Sequence, residues 1–449
     1  MRCRQMVLAG CVVATLAPIA APAHAPAPGW STPHTVTAYK VGTYGAGPNG
    51  QGVQLFGNGG AQTRTAQLRA IRSDATQGTA VGADAGVPGF DAPEVAVNAG
   101  GRLVAAWTLD TLGAGPIGLA ATLGSRTSLP RSATVLPTDG QSVSALATAI
   151  DADGNGLVAW IESPLSGGAT MVKAATLRAG QVPQVAVIDT RASASLGDIS
   201  LGLDGAGRPT VTWGVAPAGG AAALIAVARG DGTGAFAPAS EQQIPTAATA
   251  QLQTFVTADG ALLAFWVEGA LPAGPLVVKS AQAPAGGAFG AARTLISGTP
   301  ARGQVRFAAN AAGRAAVLFP LAGGGGTSLR VLLRTSSGTW GSARTLGPSG
   351  RYVTQTGIGV DAKGRVVALW DDGSSSSTGA TRVLAARSSS STDPLGSYNR
   401  VSQQSGDRRC DGPALFLSTS GDGLGLWQCS SSSSGAITSP RLARLTKAS

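Results

Sequence analysis

Residues 148–160 read Thr148-Ala-Ile-Asp151-Ala-Asp153-Gly154-Asn155-Gly-Leu-Val-Ala-Trp160, and residues 95–107 read Val95-Ala-Val-Asn98-Ala-Gly-Gly101-Arg-Leu-Val-Ala-Ala-Trp107. Both place an apolar run, then Asp or Asn, then Gly three positions on, then an aromatic nine positions on. The frame recurs at Asp204/Gly207/Trp213, Thr257/Gly260/Trp266, Asn310/Gly313/Phe319, Asp361/Gly364/Trp370 and Ser418/Gly421/Trp427, and in degenerate form at Gly47/Gly50/Phe56. Successive copies are separated by 51, 53, 53, 53, 53, 51 and 57 residues. A fixed period of this size marks a repeat architecture.

Physical chemistry gives each copy a shape. Asp or Asn bonds its own backbone in a tight turn, and Gly supplies the positive φ that closes it. The flanking segments alternate in polarity or are wholly apolar, as half-buried and fully buried strands are. A third strand follows, for example Met171–Leu177 or Leu329–Arg334, and a fourth is expected near the aromatics Phe236, Phe289 and Trp340. Four short strands per roughly 53 residues describe a blade of a β-propeller. The expected fold is all-β, with eight four-stranded blades and seven as the alternative if the degenerate first copy is not a blade. Gly29-Trp30-Ser-Thr-Pro-His34 resembles Gly338-Thr-Trp340-Gly-Ser-Ala, so a strand near residues 30–37 is expected to complete the blade built by the C-terminus. Such a closure hides two sheet edges.

The composition agrees. The 65 glycines among 449 residues weigh against a mainly helical chain, because each costs about 1 kcal/mol in a helix interior. Charged residues are 12% of the chain and hydrophobic ones 43%, too apolar for wholesale disorder.

The first 25 residues read as an export signal. Arg2 and Arg4 precede the apolar run Met6–Ala17, and Ala23-His24-Ala25 offers a cleavage site. Pro18 and Pro22 interrupt the run, so no transmembrane segment is expected. Residues 26–449 then form one propeller domain, secreted or periplasmic and monomeric. Leu8-Ala9-Gly10-Cys11 offers a minor alternative, lipid anchoring through Cys11. Cleavage takes two arginines and no acid, lowering the net charge from +10 to +8. That modest excess does not by itself point to nucleic acid. Cys410 and Cys429 remain, and two cysteines in an exported chain read as one disulfide.

At this point the repeat resembles the secreted bacterial β-propeller repeat proteins, grouped loosely with sialidase-like (BNR), TolB-like and WD40-like propellers. The resemblance covers residues 30–449 and implies a blade fold without an assigned reaction. The sialidase Asp-box places Asp five residues before Trp, whereas these turns precede Trp by nine. Ser420-Gly-Asp422 approaches that box but has Leu424 where Gly belongs.

Several motifs invite chemistry. Asp151, Asp153, Asn155 and Gly156, followed by Glu162, match a calcium loop. Strand geometry puts Glu162 roughly 20 Å from Gly156, so a Ca²⁺ site is restricted to Asp151, Asp153 and Asn155, beside the plain reading of an Asx-turn. Gly45/Gly47/Gly50 and Gly113/Gly115/Gly118 match a dinucleotide fingerprint, but about one such match is expected by chance at this glycine content, and neither opens a helix. Acids recur after the second strand at Asp110, Glu162, Glu268, Asp371 and Asp372. They could form a carboxylate ring for glycans or glycoside hydrolysis. Glu162/Lys173, Glu268/Lys279 and Asp371/Arg382 are each eleven apart, however, and suit exposed cross-strand ion pairs. The repeated tryptophans suit packing between blades, while Trp30, Trp340 and Tyr398, with the acids Glu162 and Glu268, are the candidates to meet a ligand. No G-x-S-x-G elbow occurs, and only His34 remains after cleavage. The expected function is a non-catalytic binding or scaffold module for a protein or a cell-envelope glycan, with a carboxylate-based hydrolase or lyase as the alternative.

Overall fold

The computed structural model describes residues 29–445 except 32, 36–41, 59–63, 88, 111–115, 139–140, 166–167, 193, 218–223, 244–248, 269–275, 299–304, 324–325, 348–352, 354, 374–381, 391–392, 403–408, 419 and 431–438. The signal segment, Cys11, the Gly113/Gly115 match, and most of the Ser-rich stretches at 374–377 and 430–434 lie outside the described residues.

Among the described residues the chain forms eight antiparallel sheets of four strands each. Blades 1 to 7 cover 42–82, 91–136, 142–191, 194–243, 249–298, 306–345 and 356–400, each in simple up-and-down order. Blade 8 takes three strands from 409–445 and its outermost strand, His34–Thr35, from the other end of the chain. His34 pairs with Leu442 and Thr35 with Arg441. The Ser31 N–H donates to the Arg444 carbonyl at 2.8 Å. First strands of successive blades lie side by side, including those of blades 8 and 1, so the eight close into a ring around a central channel. The degenerate first copy is therefore a full blade, turned by a short 3-10 segment at Pro48–Gly50.

The turns behave as the sequence requires. In blades 2 to 8 the turn glycines have φ between 75° and 90°. Each donates its N–H to the carbonyl of the residue three before it, as Gly313 does to Asn310 at 2.9 Å. These turns also bond to one another around the channel mouth. Asn98 and Asn310 send their side-chain amides to the Asp151 and Asp361 carbonyls, both at 2.7 Å. Between blades 4, 5 and 6 the backbone does this instead, with Gly205 N–H on Ala258 O and Ala258 N–H on Ala311 O.

The core lies between the blades. Trp107, Trp160, Trp213, Trp266, Trp370 and Trp427 are fully buried, with Phe56 and Phe319 in the same frame of blades 1 and 6. Apolar clusters span neighbouring blades: Trp160 and Val158 of blade 3 pack with Val104, Ala106 and Leu119 of blade 2. Removing roughly 200 Å² of aromatic surface from water is worth on the order of 5 kcal/mol per blade as an upper bound. The aromatics expected on the fourth strands fall just before them. Phe236 and Trp340 form single bridges to Gly230 and Arg334, and pairing resumes at 240 and 344.

Cys410 and Cys429 are directly paired across the first two strands of blade 8 and form a buried disulfide. The fold is thus stapled covalently in the blade that joins the two chain ends.

Candidate functional sites

Glu162, Glu268, Asp371 and Asp372, at the ends of second strands, are held by partners, while the side chain of Asp110 lies outside the described residues. Glu162 lies opposite Met171, and Lys173 opposite Trp160, so carboxylate and ammonium meet diagonally across two strands. Lys173 Nζ is 2.8 Å from Glu162 Oε2, and both side chains are almost wholly buried. The other oxygen accepts the Trp160 indole N–H at 2.6 Å. Blade 5 repeats this with Trp266, Glu268 and Lys279, at 2.9 and 2.8 Å, in a more open setting. The spacing of eleven thus marks ion pairs in blades 3 and 5, but that of blade 3 is buried, because the indole and strand 3 cover it. In blade 7, Arg382 pairs with Asp372 at 2.9 Å rather than with Asp371. Asp371 instead accepts the Gln355 backbone N–H.

In blades 4 and 8 the residue two after the tryptophan is not acidic and the indole has no acceptor. Val215 follows Trp213 and Cys429 follows Trp427 in this way, and both indole N–H groups are buried without a hydrogen bond. A Trp-x-Glu pattern with Lys thirteen beyond Trp therefore encodes a satisfied indole.

The calcium candidates share one turn. Asp151 Oδ1 accepts the Asn155 backbone N–H and Oδ2 the Asn155 side-chain amide, both at 2.8 Å. Glu162 stands at the far end of the strand that starts at Gly156. Trp30 is buried against blade 8, beside Gly425, and belongs to its core. Trp340 is half-buried and meets Phe265 edge-on at 6.0 Å. It lines a cleft of about 150 Å³ between blades 5 and 6, together with Arg293, Arg334 and Gln282. Tyr398 is exposed and lies edge-on to Trp370 at 6.1 Å.

A larger cleft, of about 400 Å³, opens between blades 2 and 3. Its accessible apolar lining comes from Leu123, Pro130 and Pro183, and its polar lining from Ser132, Thr134 and Gln181. Arg102, Arg131 and Arg178 also line it, and none of its described lining residues is acidic or aromatic. No spacing in the sequence marks this site, since its parts come from five segments up to 81 positions apart.

Arginines at the ends of third strands were also missed. Arg178 donates to the Gly232 and Thr233 carbonyls of blade 4, and Arg229 to Gly260 of blade 5. Arg334 reaches Gln282 of blade 5, and Arg444 reaches Ser73 of blade 1. Much of the positive charge thus joins blade to blade.

One carboxyl stands apart. Glu94 lies on the first strand of blade 2, beside the channel. It is solvent-exposed, yet the strands crowding it strip enough water to push its carboxyl from 4.5 up to about 7. A register shift between Asp91 and Glu94 sets them opposite Thr108 and Ala106, on one face of the sheet.

Fold and sites together define an eight-bladed, disulfide-stapled β-propeller with polar clefts between its blades. No family model matches the sequence, and no curated protein does. Its structural neighbours are β-propellers. One is the BP39L lectin from Burkholderia pseudomallei, at 12% identity and TM-score 0.46, covering 82% of this chain and 100% of the lectin. Another is the polysaccharide lyase Uly1, at 10% identity and TM-score 0.46, covering 97% of this chain and 94% of the lyase. The Aleuria aurantia lectin, at 12% identity and TM-score 0.36, covers 71% and 100%. Likeness at this level concerns the path of the chain alone. No helix among the described residues is long and apolar enough to cross a membrane.

Proposed function

We propose that this propeller is a non-catalytic binding module, exported after loss of residues 1–25, whose ligand is a glycan held between blades. The observation that carries the reading is the cleft between blades 2 and 3. Apolar patches from Leu123, Pro130 and Pro183 suit the CH face of a sugar ring, and the hydroxyl, amide and guanidinium groups suit its oxygens. Glu162 and Glu268, the acids first in line for catalysis, are occupied by Lys173 and Lys279. A glycan-array screen of residues 26–449 at physiological salt tests the reading. Selective binding that persists at higher salt is expected, and silence across the array overturns it.

A second reading, a glycan-active hydrolase or lyase, draws support from Glu94. A carboxyl titrating near 7 holds and releases a proton at neutral pH, and Asp91 on the same face supplies a second acid. Release of new reducing or unsaturated ends from a polysaccharide panel, abolished by Glu94→Gln, would establish it. No release by the wild-type protein would remove it.

A further inference from the structure

We infer that the cleft between blades 2 and 3 selects acidic glycans, binding the carboxylate of a uronate or a sulfate ester through Arg102 and Arg131. The inference rests on the glycan-binding reading above and narrows its ligand class.

Elsewhere on this face the arginines are spent on contacts between blades. Arg229, Arg334 and Arg444 spend their N–H groups on carbonyls or side chains of adjoining blades. In the cleft between blades 5 and 6, Arg334 is buried and bonded, and Trp340 takes up space. Of the arginines lining the cleft between blades 2 and 3, Arg178 has such a duty, reaching away to the Gly232 and Thr233 carbonyls of blade 4. Arg102 and Arg131 are exposed, and among the described residues their side chains have neither a hydrogen bond nor an ion pair. Arg102 leaves the turn of blade 2, where Asn98 holds its backbone N–H. Arg131 comes from the strand 3–4 connection of the same blade, fixed by its carbonyl to the Asp84 N–H. Both are anchored at the backbone while their guanidinium groups remain unengaged.

Two unengaged arginines, Arg102 and Arg131, line a cleft with no carboxylate in its described lining, which creates a local positive field without internal compensation. Guanidinium is planar and binds carboxylate or sulfate in a two-point fork, which an ammonium cannot do. The rest of the lining says what carries the anion. Leu123, Pro130 and Pro183 offer apolar surface, and Ser132, Thr134 and Gln181 offer hydroxyl and amide groups. That combination matches a ring with a hydrophobic face and peripheral hydroxyls. It lacks the aromatic platforms on which nucleobases stack. The cleft volume of about 400 Å³ is of the size that holds small ligands or one or two residues of a polymer.

The test compares a polymer with its own uncharged form. Immobilised residues 26–449 would be titrated with polygalacturonate, its full methyl ester, a sulfated galactan, the desulfated galactan, polyglutamate and an oligodeoxythymidylate. The expected result is retention of an acidic polysaccharide and not of its neutral counterpart, polyglutamate or the oligonucleotide. The variant Arg102→Gln plus Arg131→Gln should then weaken binding roughly ten- to a hundredfold. Both residues are exposed and unpartnered, so the melting temperature should stay unchanged. Arg293→Gln, in the other cleft, should bind as wild type.

Equal binding of acidic and neutral forms overturns the acidic preference and leaves the glycan reading standing. So does binding of an acidic form that the double variant does not weaken. Equal retention of polyglutamate or the oligonucleotide overturns both, because charge alone would then explain capture. Silence toward all six overturns the acidic preference, and the wider glycan array then decides the broader reading.

Discussion

Replacing Glu162 by glutamine should cost the fold far more than the same change at Glu268. Both acids accept an indole N–H and face an ammonium at 2.8 Å. Their burial differs: the Glu162 and Lys173 side chains are 0% and 5% exposed, those of Glu268 and Lys279 16% and 19%. Glutamine keeps the volume and an acceptor for Trp160, so the loss is confined to the charge. An uncompensated ammonium buried this deeply costs about 3–5 kcal/mol, whereas a partly hydrated one costs about 1. Urea unfolding of both variants at pH 7 gives the comparison, provided the slopes match the wild-type slope. Adding Lys173→Met to Glu162→Gln should restore most of the loss, since an apolar pair of similar size needs no hydration. Losses equal within about 0.5 kcal/mol at the two sites, or a double variant no better than Glu162→Gln, would refute the reasoning.

Other outcomes follow from the same chemistry. Trp160→Phe should destabilise by about 1.5–3 kcal/mol more than Trp213→Phe, because only Trp160 gives up a hydrogen bond to a carboxylate; urea midpoints would show it. Changing Cys410 and Cys429 together to alanine should lower stability by about 3 kcal/mol, the loop-closure effect of a link spanning 19 positions, and reductant should then have no further effect on the variant. Glu94 has a folded-state value near 7, above its ordinary 4.5. The stability it permits is therefore complete below about pH 4.5 and lost as pH rises through 7. Glu94→Gln should match the wild type at pH 4.5 and melt higher at pH 8.

The blades were legible because their determinants are local. Asp or Asn, Gly and Trp stand at fixed offsets within one hairpin, so a turn that needs positive φ and a strand that needs a buried ring both mark the sequence. Asn98 and Asn310 show where legibility stops. In sequence they are turn residues like Asp204, but their amides reach the next blade's carbonyls. The arginine contacts were hidden for a related reason. Third strands follow second-strand loops of varying length, so Arg178, Arg229, Arg334 and Arg444 lie 18, 16, 15 and 17 positions after the repeat aromatic and show no common frame. The cleft was invisible because Arg102, Arg131 and Arg178 meet only after two blades stack. Trp30 misled because its likeness to Trp340 reports shared blade position, while exposure depends on what the next blade lays over it.

The shared eighth blade also constrains time. Ser31 and Arg444, which exchange hydrogen bonds, are 413 residues apart in the chain. At synthesis rates of 5–20 residues per second, the first strand waits about 20–80 s for its partner to exist. Seven blades can assemble in that interval, yet the ring stays open until the last strand arrives. Any factor that shields the N-terminal segment during the wait would act on yield and leave the finished molecule unchanged.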